Sequence, residues 1–181
     1  MIPKGWWRRR EADDSARKLY EAIVAQARRM EFYAALGVAD TVSGRFDMVA
    51  LHMFLALRRL RGPGADGEGA ADQRALAQAL LDVMFDDMDA SLRELGVGDL
   101  GVGRRVQAMA EGFYGRAAAF EAALGQSEAE LAAALRRNLY GGVEPAAGAL
   151  AAMVRYVRSE ALRPEPDGAA ASLRFGDPPA I

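Results

Sequence analysis

Asp82, Asp86 and Asp89 recur at i, i+4 and i+7, a spacing that puts three carboxylates on one face of a helix. Asp87, Glu94 and Asp99 join them, so residues 82–99 carry six carboxylates against Arg93 alone. Two chemistries suit such a face. Aspartates clustered on a helix can hold Mg²⁺ for reactions of a diphosphate, as in all-helical isoprenoid synthases, although those enzymes face two such helices across a cavity and no second cluster is present here. Alternatively the face meets a basic partner. Like charges at helical spacing cost a few tenths of a kcal/mol per pair, so a cationic neighbour is expected to offset them. Gly96, Gly98 and Gly101 spell G-x-G-x-x-G directly after the aspartates. In a dinucleotide site that motif follows a strand, whereas here it follows a helical pattern and reads as a tight helix–loop–helix elbow. His52 is the one histidine and lies in the most apolar segment, so it reads as a satisfied core residue. One histidine without cysteine builds neither a zinc site nor a triad, and no second axial haem ligand is signalled.

The surrounding elements are helical. Ala16, Leu19, Tyr20, Ile23, Val24 and Ala27 mark one apolar face from about residue 13, ending at Gly37. Residues 44–61 are apolar almost all round and predict the central helix of the domain; Arg58 and Arg59 complement its C-terminal dipole. Leu76, Leu80, Leu81, Met84, Phe85, Met88, Leu92 and Leu95 give a helix over 72–95 with the aspartates on its other side. Further helices are predicted over 103–124, from the capping box Ser127–Glu130 to Tyr140, and over 145–162 with Pro145 in the first turn. No alternating run reads as a strand. The fold class is therefore all-α, a single compact domain of about six helices over 13–162, with a basic leader at 1–12 and a flexible tail at 163–181.

Composition narrows the function. The chain has 181 residues, net charge −2 and no cysteine, so disulfides, thiolate metal sites and nucleophilic cysteines are excluded. The charge balance does not suit nucleic-acid recognition. No secretory signal is visible, and the longest apolar stretch, Met48 to Leu57, is about half of what a spanning helix needs. A cytoplasmic location follows as an expectation. Trp6, Trp7, Arg8, Arg9 and Arg10 suit weak peripheral contact with an anionic membrane surface, since indoles favour the headgroup zone and each arginine adds about 1 kcal/mol there.

Two blocks carry a resemblance. The first is Gln26-Ala27-Arg28, Phe32-Tyr33, Gly37-Val38-Ala39-Asp40-Thr41 and Gly44-Arg45-Phe46-Asp47, running into Leu51-His52-Met53-Phe54-Leu55 and Arg58-Arg59-Leu60. The second is Leu81-Asp82, Phe85-Asp86-Asp87-Met88-Asp89, Leu92-Arg93-Glu94, Gly96-Val97-Gly98-Asp99, Val102-Gly103, Met109, Phe113-Tyr114-Gly115-Arg116, Asn138 and Tyr140. Over about residues 14–160 the chain resembles the ubiquinol–cytochrome c chaperone family. It departs from it at Met30 or Glu31 and at Ala39, where proline is expected.

The resemblance implies a non-catalytic assembly chaperone without a cofactor. Mitochondrial members bind newly made cytochrome b, pair with a small helper protein, contact the ribosome near its exit tunnel, and keep the client competent for assembly into ubiquinol–cytochrome c reductase. A client with apolar helices and basic cytoplasmic loops needs apolar contacts beside an acidic rim. The expected partner-binding set is Asp82, Met84, Asp86, Met88, Asp89, Arg93, Glu94, Gly98 and Asp99, with Tyr114 and Arg116 beside them. The alternative from another class is the Mg²⁺-dependent, all-helical enzyme acting on a diphosphate.

Overall fold

The structure is a computed structural model that describes residues 4–62, 69–146, 148–163 and 173–180, with the backbone alone for residues 4–11 and Leu100. Seven helices make it up among these residues: α1 (Lys4–Ala27), α2 (Met30–Ala34), α3 (Val42–Leu60), α4 (Ala70–Glu94), α5 (Asp99–Leu124), α6 (Glu128–Asn138) and α7 (Ala149–Leu162). The described residues contain no strand, so the all-α class is as expected. The seventh helix is the single turn α2. Arg29 adopts an extended backbone (φ −61°, ψ 129°) and interrupts the first apolar pattern, which was expected to run to Gly37. No helix among the described residues is long and apolar enough to cross a membrane.

The chain gathers into two compact units. One comprises Met1–Glu21, Leu60–Tyr114 and Glu165–Leu173; the other comprises Ala22–Arg59, Gly115–Pro164 and Arg174–Ile181. In the second unit α3 is central, as its all-round apolarity predicts. Met48, Leu51, Phe54 and Leu55 pack with Phe32 and Leu36, with Phe120 of α5, with Leu131 and Leu135 of α6, and with Met153 and Val157 of α7. Each such side chain contributes roughly 1.5–3 kcal/mol through its removal from water. In the first unit the buried residues include Ala16, Leu19 and Tyr20 of α1, Leu76, Leu80, Leu81, Met84 and Met88 of α4, and Val102 and Phe113 of α5.

Local signals set the helix ends. Thr41 caps α3 by accepting from the Gly44 N–H at 3.1 Å, two residues ahead of the expected start. Ser127 caps α6 through the Glu130 N–H at 3.2 Å. α7 begins after Gly148 (φ 86°) and not at Pro145, because the left-handed backbone there separates the proline from the helix. A Cβ at Gly44 would lie 2.0 Å from the Ala39 carbonyl oxygen, where backbone meets backbone. Gly44→Ala is therefore expected to cost about 1–3 kcal/mol as an overpacking change. A urea midpoint unchanged from the parent would contradict this.

Residues 173–180 form no regular secondary structure, in keeping with a tail, yet they are held in place. Leu173 is buried, and Phe175 packs against the core of the second unit. No local pattern announces this, because most of the anchors, on α1 and α3, lie more than a hundred residues away.

Candidate functional site

α4 is two-faced. Leu80, Leu81, Met84 and Met88 are buried, while Asp82, Asp86 and Asp87 are exposed and Asp89 is half-buried. Helical spacing also puts Arg93 on the line of Asp82, Asp86 and Asp89, one further turn along. Arg93 Nε donates to Asp89 Oδ2 at 2.5 Å, and Arg93 also pairs with Asp99 beyond the helix end. Hydrogen bonds to Asp89, and then to Asp99, raise the guanidinium above its ordinary value. The Tyr20 hydroxyl donates to Asp87 Oδ2 at 2.8 Å, and Gln78 donates to Asp82 at 2.9 Å. Asp86 and Glu94 are exposed and have no ion-pair partner among the described residues. Among the described residues the cation paired with this line is Arg93 of α4 itself, where a cationic neighbour was expected, and it covers only one end.

The elbow is built by backbone geometry. Gly96 takes φ 78°, and its N–H bonds to the Arg93 carbonyl at 2.9 Å while the Val97 N–H reaches the Leu92 carbonyl at 3.1 Å. This paired arrangement closes the C-terminus of α4. The Gly98 carbonyl accepts from Gly101 and Val102 and opens α5, with Asp99 in its first turn. The favourable placement of a carboxylate at a helix N-terminus accounts for Asp99. Leu95, Gly96, Val97, Gly98, Asp99, Gly101 and Arg105 line a shallow open depression of ≈ 610 Å³. The G-x-G-x-x-G spacing thus serves a helix–helix turn.

Several sequence expectations require correction. Met84 and Met88 are 0% and 4% exposed, so they pack inside and are not offered to a partner; they share the face of Leu80 and Leu81. Leu95, expected on the apolar side of α4, is 70% exposed at the elbow. Its position after the last helical residue takes it off the stripe, a displacement that periodicity alone misses. Arg116 is engaged internally: Nη2 pairs with Asp47 Oδ1 at 2.9 Å, Nε donates to the Asn138 carbonyl at 3.4 Å, and the guanidinium lies 5.8 Å from the Phe46 ring centroid. Burial raises the Asp47 carboxyl despite the opposing Arg116 charge. Tyr114 is 52% exposed, its ring 6.4 Å from that of Phe85. The helix α1 reaches back to Lys4, but the side chains of Trp6, Trp7, Arg8, Arg9 and Arg10 lie outside the described residues.

Among the described residues no three of His, Cys, Asp and Glu come together as a metal-holding group. The diphosphate reading therefore lacks a ligand set there. His52 is fully buried. Its Nδ1 donates to the Met48 carbonyl at 2.8 Å, which leaves Nε2 to accept from the Tyr156 hydroxyl at 2.8 Å. Burial drives its pKa down to about 4, so the ring is neutral.

Comparison with known proteins decides the family. The profile of the family described as Ubiquinol-cytochrome C chaperone matches residues 34–163. The chain belongs to the ubiquinol-cytochrome C chaperone family. It is 23% identical over 146 residues to Ubiquinol-cytochrome-c reductase complex assembly factor 1 of Xenopus laevis, covering 81% of this chain and 70% of that protein. The mouse assembly factor 1 is also 23% identical over 146 residues, and the match spans 48% of its length. The crystal structure of the Cbp3 homolog from Brucella abortus shares 40% identity, with a TM-score of 0.78 and coverage of 98% of this chain and 97% of that one. The family resemblance read from the two sequence blocks is thereby established. The second block holds both the acidic line of α4 and the elbow, so both lie within the matched region.

Proposed function

We propose that this chain is a non-catalytic assembly chaperone that binds cytochrome b, or a related membrane subunit, during biogenesis of ubiquinol–cytochrome c reductase. The supporting observation is a set of exposed carboxylates, Asp82, Asp86 and Glu94, ahead of an elbow that offers Leu95 and Asp99 to solvent. Membrane subunits carry basic cytoplasmic loops beside apolar helices, and an acidic set ahead of an exposed leucine matches both. Leu95 and Tyr114 supply the apolar contacts in place of Met84 and Met88. Charge governs encounter rate and selectivity here more than tightness. In this reading the protein works on the cytoplasmic side, touches the membrane peripherally through Trp6, Trp7, Arg8, Arg9 and Arg10, and meets its client near the ribosome.

The test is charge reversal on these carboxylates. Asp82→Lys, Asp86→Lys and Glu94→Lys combined are expected to lower recovery of cytochrome b with the tagged protein about tenfold or more. Exposed substitutions away from packed features shift stability by about 0.5 kcal/mol or less each, so thermal unfolding should change little. Recovery should also fall with added salt in the parent protein. Unchanged recovery in the folded triple variant would sink the reading.

A further inference from the structure

The second unit contains a cleft that the acidic surface does not use. Gln26 of α1, His52 and Arg59 of α3, and Tyr156 and Glu160 of α7 line it, with Arg163 just beyond α7. His52, Arg59 and Glu160 are buried, at 0%, 6% and 1% exposure. Residues 174–177 lie in this cleft without regular secondary structure, and side chains of the cleft hold their backbone. Arg59 Nη1 donates to the Arg174 carbonyl at 2.9 Å. Gln26 Nε2 donates to the Gly176 carbonyl at 2.7 Å. The Gly176 N–H donates to Glu160 Oε1 at 3.0 Å.

Side chains add selectivity at three points. The Phe175 ring stands edge-on to His52 with centroids 5.0 Å apart, and the Arg59 guanidinium lies 5.8 Å from its centroid. Asp177 pairs with Arg29 at 2.6 Å. A Cβ at Gly176 would meet Arg163 Nη2 at 2.4 Å and Glu160 Oε1 at 2.9 Å, so any side chain there has to displace the ends of that ion pair.

The cleft is organised without the segment. His52 keeps the Met48 carbonyl and Tyr156. Glu160 keeps Arg163 and Arg59. Gln26 keeps the Tyr156 hydroxyl at 2.9 Å. Withdrawal of the segment therefore strands no buried charge. Phe175 is half-buried and Arg174 is exposed, so within residues 174–177 the apolar contribution to docking rests on the Phe175 ring. Pro178 and Pro179 restrict the free chain and reduce the entropy lost on docking. Main-chain hydrogen bonds with a pocket for a particular side chain are how peptide-recognition surfaces combine affinity with specificity.

We propose that this cleft is a peptide-binding site for an extended aromatic–glycine–acidic sequence, and that residues 174–177, Arg-Phe-Gly-Asp, fill it as a separable strap. The strap is the cleft's own ligand in cis.

A site-specific protease sequence inserted between Asp167 and Gly168 of the full chain leaves strap and cleft on separate pieces after cleavage. The expected result is reversible exchange. The main piece keeps its helical circular dichroism after the fragment is washed out, and it binds a fluorescein-labelled synthetic peptide of residues 173–181 saturably in an anisotropy titration. Gly176→Ala carried by the peptide alone weakens binding about tenfold or more, and Phe175→Ala does likewise; tenfold corresponds to about 1.4 kcal/mol. The protein piece is constant across these peptides, so misfolding of a variant does not enter. Cooperative loss of helix on removing the fragment would overturn the proposal, because the segment would then be part of the core. So would failure of the peptide to rebind, or equal binding of the Gly176→Ala peptide.

Discussion

Glu160→Ala is expected to lower stability by about 3–5 kcal/mol, the range for breaking a buried ion pair from one side. Glu160 is 1% exposed and stands among Arg59 Nη1 at 3.7 Å, Arg163 Nη2 at 2.7 Å and the Gly176 N–H at 3.0 Å. Its removal leaves the buried Arg59 without that counter-charge and orphans a backbone donor. Arg163→Met removes the other end of the same network, but its side chain is 38% exposed. Water screens the loss there, and the cost should be about 1 kcal/mol or less. Urea unfolding of the two variants checks the contrast. Equal and small losses would show that burial is not what gives the pair its weight.

The second large effect is a loss of stability in mild acid. His52 titrates near 6.5 when unfolded and at about 4 when folded, because burial disfavours the charged ring. Between those values the unfolded chain binds the extra proton, so stability is full above about pH 6.5 and falls as pH drops toward 4. The total is about 3 kcal/mol from this residue. Asp47 acts with opposite sign, since burial raises its carboxyl and the folded state holds that proton more tightly. Urea midpoints across this range should decline in the parent and stay nearly flat in His52→Gln, which starts from a lower value because the bond to Tyr156 is altered. A decline of the same size in both proteins would assign the acid sensitivity elsewhere.

These two sites show where the sequence was informative and where it was not. The all-round apolarity of residues 44–61 announced the centre of the second unit, and the stripe from Leu76 to Met88 announced the inner face of α4. Gly96 announced the elbow, since only a left-handed residue closes that helix end. The acidic line was legible from spacing, but Arg93 as its partial counter-ion became clear only once the pairs with Asp89 and Asp99 were seen. Arg59 reads in sequence as a dipole-complementing charge, yet its partners are Glu160 and the Arg174 carbonyl. No local pattern encodes a contact across that separation. The same reason hid most of the anchors of the ordered stretch after Leu173, which lie on α1 and α3. Met84 and Met88 were read both as part of the apolar stripe of α4 and as docking contacts, and their burial keeps them in the stripe.

Under the proposed function, the acidic side of α4 and its elbow dock a membrane subunit of ubiquinol–cytochrome c reductase. Site-specific photo-crosslinking in cells tests it most directly, with the crosslinking residue placed at Asp86 or Leu95, and at the exposed Arg137 of α6 for comparison. Capture of cytochrome b or another subunit of that enzyme from Asp86 and Leu95, with far less from Arg137, is the predicted result. Capture of soluble metabolic proteins alone, or equal capture from Arg137, would contradict it.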